Sequence, residues 1–304
     1  MDAVTAAFTE FFDYAGLFPP AALSVSDVME RYGEYRRGPN AWMLGRVIVP
    51  ADALDEAQAT ARAAGATADM PWPVSVLVGD TVRSRDVAPA VLALARPGTG
   101  LVVGAIEASA ATPDEILELA AIWPSDLDRF VEIPVEGDAD GMLRALRASE
   151  QSGKVRAGGV TKDRFPTTHD LARLLTRAAR DGVAFKATAG LHHAIRGSYR
   201  LTYEPASPSA TMHGFVNLLL TATLLRTGRI DEDLADACLD DDRPEAFKLS
   251  GRAGSWLNAV VTYGEIADAR RALIRSVGTC SFEEPVTEID ALDFGLKGVD
   301  RYTT

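Results

Sequence analysis

Lys154-Val155-Arg156-Ala157 and Val183-Ala184-Phe185-Lys186-Ala187-Thr188 are short β-rich runs on either side of a helical stretch, Thr168–Ala179. Leu171, Leu174 and Leu175 form one stripe of that helix, and the strand–helix–strand unit they complete decides the fold. Working outward, the same alternation recurs with the runs Arg46–Pro50, Val74–Val78, Leu101–Ile106 and Phe130–Val135. Successive runs start about 25–30 residues apart, the span of a strand, a helix and two loops. Between two of them, Thr112-Pro113-Asp114-Glu115 sets a capping hydroxyl, a proline at the first helical position and a returning carboxylate before Ile116 and Leu117.

Beyond Thr188 the pattern predicts a seventh strand at Met212–Val216, and an eighth at Ala246–Leu249 followed by a helix over Glu265–Val277. Eight strands joined by helices predict an α/β fold of the (β/α)8 barrel type over residues 45–304, with a helical extension over 1–44 packed on it. An open dinucleotide-binding sheet would carry GxGxxG after its first strand, whereas this chain reads Val49-Pro50-Ala51-Asp52 there.

Composition narrows the function. The 304 residues include 31 Lys+Arg against 43 Asp+Glu, a formal charge of −12, and no basic block that could neutralise a nucleic-acid backbone. The opening Met1-Asp2-Ala3-Val4 lacks the basic start of a secretory signal. The apolar run Phe215–Leu225 is interrupted by Asn217 and two threonines and is too short to span a bilayer. Cys238 and Cys280 have no CxxC spacing and read as reduced. The expectation is a cytoplasmic protein that acts on a small molecule, with no nucleic-acid or membrane partner, and with a homo-oligomer as one option.

In a barrel, chemistry comes from the C-terminal ends of strands. The polar residues inside or just after the apolar runs are Glu107, Glu132, Lys154, Arg156, Lys186, His192, His193, His213 and Asn217. Period-two alternation puts Lys154 and Arg156 on one face of their strand. If the next strand is its neighbour, Lys186 and Glu132 converge with them on one cavity. A lysine beside other cations in an apolar setting gives up its proton more easily, which suits an amine that attacks a carbonyl. Set against this, Lys154 could snorkel at a wet rim and Glu132 could be a structural ion-pair partner.

The segments Phe130–Pro134, Gly153-Lys154-Val155-Arg156-Ala157-Gly158-Gly159 and Phe185-Lys186-Ala187-Thr188-Ala189-Gly190-Leu191 resemble the later strands of deoxyribose-phosphate aldolase and related class I aldolases. The resemblance implies a Schiff-base lysine and a second lysine, some thirty residues on, that lowers its pKa. Matched by order, Lys154 is the nucleophile and Lys186 its neighbour. Counted from the first run, Lys186 lies on the sixth strand, where such aldolases hold the reactive lysine, and Lys-Ala-Thr-Ala-Gly favours Lys186. Glu107 is the one counterpart of the family's catalytic aspartate. A phosphate cradle is absent from the corresponding stretch, His213-Gly214-Phe215-Val216-Asn217. Asp13–Pro20 and Gly278–Pro285 are similar to motifs of a bacterial family, a likeness that implies no activity.

The leading expectation is thus a cofactor-independent carbon–carbon lyase for a small aldehyde, ketone or keto acid. Lys186, Lys154, Glu132 and His213 would be catalytic, and Arg156, Glu107, His192 and Asn217 would bind substrate. No metal is expected, although His192 or His193 with His213 and Glu132 would make a mixed site for an isomerase or metal-assisted hydrolase. A third reading is a ligand-binding barrel with all its charges paired. Asp13-Tyr14 with Gly16 and Pro19-Pro20 reads as a turn packing the first helix, ahead of a loop folded over one barrel end. Cys280 reads as structural, and Glu283-Glu284 as a solvated acidic turn.

Overall fold

The computed structural model describes residues 2–95, 98, 100–135 and 139–292. Eight parallel strands close into a barrel, numbered here β1 to β8: Phe12–Tyr14, Leu44–Pro50, Trp72–Gly79, Leu101–Ser109, Asp128–Glu132, Ser152–Arg156, Phe185–Thr188 and Ile274–Thr279. Each strand pairs with the next in sequence, and β1 closes the ring against β8 through Phe12↔Val277 and Tyr14↔Thr279. The (β/α)8 reading holds, but two strands lie elsewhere than expected.

The first strand lies within the segment read as a helical extension, so residues 1–44 supply a barrel wall. At three residues β1 is too short to show an alternation. It is held by the rings of Phe8, Phe11, Phe12 and Phe215, whose centroids lie 5.1–6.1 Å apart across five ring pairs. The eighth strand was masked by the apolar pattern of the helix before it. That helix spans Tyr263–Ala272, with a capping box between Thr262 and Glu265, and the chain turns at Leu273 into β8. Both expected late strands fall outside the barrel. Ser209–Met212 pairs antiparallel with Gly197–Arg200, and Phe247–Ser250 belongs to a three-stranded antiparallel sheet.

The helix Phe215–Arg226 is buried from Phe215 through Leu224, as expected for one that is apolar all round. Thr112 and Thr167 cap their helices by accepting from the backbone N–H of Glu115 and Asp170. Among the described residues no helix is long and apolar enough to cross a membrane. Residues 293–304, the end of the expected barrel segment, lie outside the described residues.

Candidate active site at the barrel mouth

Strand register aligns the charges. Glu132 on β5 is level with Lys154 on β6, Lys154 with Lys186 on β7, and Lys186 with Ser276 on β8. From the opposite wall come Asp13 on β1, Ser75 on β3 and Glu107 on β4. Lys186 Nζ donates to Asp13 Oδ2 at 2.6 Å and Glu107 Oε1 at 2.5 Å. Lys154 Nζ lies 3.0 Å from Glu107 Oε2 and 3.0 Å from Glu132 Oε2. The Glu107 Oε2 contact is ionic and lacks hydrogen-bond alignment. Arg156 Nε reaches Glu132 Oε1 at 3.5 Å. The result is an alternating chain, Asp13, Lys186, Glu107, Lys154, Glu132, Arg156, rising through the barrel interior to its mouth.

Uncharged neighbours finish the buried end. Ser75 Oγ donates to Glu107 Oε1 at 2.8 Å, and Ser276 Oγ donates to Asp13 Oδ2 at 2.8 Å. Asp13 Oδ1 accepts the backbone N–H of Arg46 at 2.7 Å. That contact requires glycine at position 45, because a Cβ there would stand 2.3 Å from Asp13 Oδ1. The Phe130 ring centroid is 5.6 Å from Lys186 Nζ.

Above this chain lies a cavity of about 280 Å³, set at the C-terminal ends of the strands. Its floor includes Glu107 and Lys154. Arg156, Thr188, His192 and Cys280 line its sides, and Phe18 and Pro19 reach it from the loop after β1. The loop therefore folds over the barrel end, correcting the expectation of a packing turn, and Asp13 and Tyr14 are strand residues. Lys186, with 0% of its side chain exposed, lies below the cavity, so the lysine that borders it is Lys154. Because β1 precedes all the strands counted from sequence, Lys154 stands on the sixth barrel strand and Lys186 on the seventh.

Electrostatics fix the resting charges. Burial alone would raise the Glu107 pKa, but Lys186 and Lys154 beside it hold it far below the usual carboxylate range. Glu132 is half-buried, and Lys154 and Arg156 more than offset the effect of that burial, lowering its pKa. Burial opposes the charge on Lys154, yet Glu107 and Glu132 prevail and raise its pKa above the ordinary lysine value. The expected effect of neighbouring cations is therefore reversed at Lys154: its nearest groups are carboxylates.

His192 lies 3.3 Å from Glu284 Oε2 and 3.7 Å from Cys280 Sγ through Nδ1. Burial opposes its protonation, but Cys280 and Glu284 outweigh this and push its pKa up to about 10. His192 was expected to bind substrate, and the cavity does border it. Cys280 and Glu284, read as structural and solvated, are its partners, drawn together by the close of β8 and the loop after β7.

Two expected site residues lie elsewhere. His213 Nε2 donates to the carbonyl of Pro166 at 2.9 Å, and burial pushes its pKa down to about 4, so it is neutral at pH 7. It does not line the cavity, and the catalytic role expected of it is not supported. Asn217 uses its whole amide inside the fold: Oδ1 accepts from Arg196 N, and Nδ2 donates to the carbonyls of Cys238 and Asp241. It ties the loop after β7 and the C-terminal end of the helix Glu232–Asp240 to the helix Phe215–Arg226, and the substrate-binding role expected of it is not supported. His193 stacks on Tyr199 and reaches Glu288 Oε1 at 2.6 Å, away from the lysines. Among the described residues no group of three or more His, Cys, Asp or Glu gathers as a metal site.

Sequence reading missed Asp13, Ser75 and Ser276. Ser75 is a polar residue inside an apolar strand, a signal that was present, whereas Asp13 and Ser276 were hidden by the missed β1 and β8. Comparison with protein-family models finds no match to this chain, and comparison with curated proteins finds none either.

Proposed function

We propose that the protein is a carbon–carbon lyase of the class I aldolase type, in which Lys154 forms a Schiff base with a small carbonyl compound. The carrying observation is the position of Lys154 Nζ. It borders the mouth cavity with a carboxylate 3.0 Å away on each side and a second lysine on the neighbouring strand sharing one of them. Glu132 is suited to take the ammonium proton, being at the rim and 3.0 Å distant. The neutral amine then adds to the carbonyl carbon, the oxygen is protonated, and loss of water leaves a protonated imine as electron sink for cleavage of the adjacent bond. Lys186 and Asp13 keep Glu107 and its surroundings fixed while Lys154 changes charge.

The raised pKa of Lys154 favours a second reading, in which the lysine stays an ammonium and polarises an oxyanion in an isomerase-type reaction. Borohydride reduction in the presence of a panel of small aldehydes and ketones separates the two. An irreversible adduct that disappears in Lys154→Met is expected. Turnover of a panel member with no trapped adduct would replace the Schiff-base reading with the second.

A further inference from the structure

Arg156, His192 and Ala189 all line the mouth cavity. Arg156 has 49% of its side chain exposed, and its single partner among the described residues is Glu132, through Nε at 3.5 Å, so its terminal nitrogens are free. His192 lines the same cavity, with Glu284 and Thr279 at its Nδ1, Cys280 near both ring nitrogens and Tyr203 against the Cys280 thiol. Ala189 and Gly190 follow β7 with φ of 61° and 70°, and Ala189 lines the cavity. No acceptor among the described residues is paired with their N–H groups. A non-glycine residue held in the left-handed region is strained, and such strain gathers at ligand sites; successive backbone N–H groups in a turn make an anion-binding concavity.

The carboxylates of the region are already paired, including Glu107 on the cavity floor. Both Glu107 oxygens face lysines, and Glu132 is bracketed by Lys154 and Arg156. In a chain of net charge −12, the cavity thus presents Lys154, Arg156 and His192 toward whatever enters. A guanidinium fork matches a carboxylate in two parallel hydrogen bonds. Arg156 and Lys154, two residues apart on β6, are separated along the strand by roughly 6.6 Å, at about 3.3 Å per residue. One small molecule can therefore meet both.

We propose that the cavity takes a 2-oxo acid, its carboxylate held by Arg156, His192 and the N–H group of Ala189, and its carbonyl presented to Lys154. This inference names the substrate class of the site and rests on the Schiff-base reading only for the carbonyl end. The cavity volume of about 280 Å³ suits a small ligand. Protonation of His192 up to a pKa of about 10 keeps its charge available through neutral pH.

The test compares pyruvate, its uncharged methyl ester and glyceraldehyde 3-phosphate as borohydride-trapped ligands of the full-length protein, and measures pyruvate binding separately by calorimetry without borohydride. Half-maximal trapping is expected at a pyruvate concentration at least tenfold below that of the ester. Arg156→Met should remove this preference, with Arg156→Lys restoring part of it, and His192→Gln should weaken pyruvate binding even if the Arg156 variants misfold. Equal trapping of ester and acid, or preference for the phosphate compound, would overturn the carboxylate assignment while leaving the Schiff base standing. Absence of any adduct alongside Arg156-dependent pyruvate binding would reject the Schiff base and keep the carboxylate site. Absence of pyruvate binding would overturn the inference.

Discussion

The two ends of the barrel hold charges in opposite ways. At the N-terminal end Asp128 joins Arg46 at 2.6 Å and Arg275 at 2.9 Å, all about one-third exposed. The cavity there, about 650 Å³, is more than twice the size of the one at the other mouth. Three of its arginines, Arg46, Arg270 and Arg275, are spent on the fold, while Arg271 is largely exposed with Asp268 at 3.5 Å. Arg270 donates to the carbonyls of Ala7, Thr9, Ile274 and Arg275, and lies against the Phe11 ring. At the C-terminal end the cavity is smaller, and Lys154 and Arg156 border it directly. Size alone would favour the N-terminal end; the buried lysine–carboxylate chain that borders the smaller cavity is what distinguishes the C-terminal end.

The comparison breaks most sharply at Glu107, which faces both lysines. Glu107→Gln is expected to cost about 3–5 kcal/mol, the range for removing one partner of a buried ionic group, as measured by denaturant unfolding. A loss below that of Asp128→Asn would contradict the contrast between the two ends. Next comes Gly45→Ala. Its added methyl would displace the Asp13 carboxylate and is expected to destabilise by about 1–3 kcal/mol, typical of overpacking, while lowering the yield of any lysine adduct.

The pH dependence sharpens the contrast further. The depressed pKa of Glu107 gives stability that is present above its ordinary value of 4.5 and lost as pH falls through the folded value. The raised pKa of Lys154 gives stability that is present below its ordinary value of 10.5 and lost as pH rises through the folded value. Acid unfolding should therefore have a shallower slope in Glu107→Gln, and alkaline unfolding a shallower slope in Lys154→Met. Unchanged slopes would show that these ions are not coupled to folding. Smallest is Asp128→Asn, expected to cost about 0.2–1 kcal/mol per lost contact because both partners stay wet.

Most of the barrel is legible in sequence because its strands are short apolar runs at even spacing. Six runs overlap β2 to β7. The failures lie where tertiary packing overrides local pattern: β1 is three residues held by aromatic rings, and β8 follows a helix of similar hydrophobicity without a glycine or proline break. Lys154, Lys186, Glu107 and Glu132 are legible because a charge inside an apolar strand demands a partner. Which lysine borders the cavity is not, since it depends on counting β1. Cys280 and Glu284 come to His192 only through ring closure, over 88 and 92 residues of sequence respectively. His213 and Asn217 look polar and exposed to chemistry in sequence, yet in the folded chain backbone groups take up the whole Asn217 amide and His213 Nε2, while His213 Nδ1 is buried without a hydrogen-bond partner among the described residues.

The central claim is that Lys154 is the reactive amine and Lys186 its buried neighbour. Peptide mapping by mass spectrometry after borohydride reduction with pyruvate tests it directly in the wild type, Lys154→Met and Lys186→Met. A single modified residue at position 154 is expected in the wild type, none in Lys154→Met, and a reduced yield still at position 154 in Lys186→Met. A modification at position 186, or full labelling elsewhere in Lys154→Met, would contradict it.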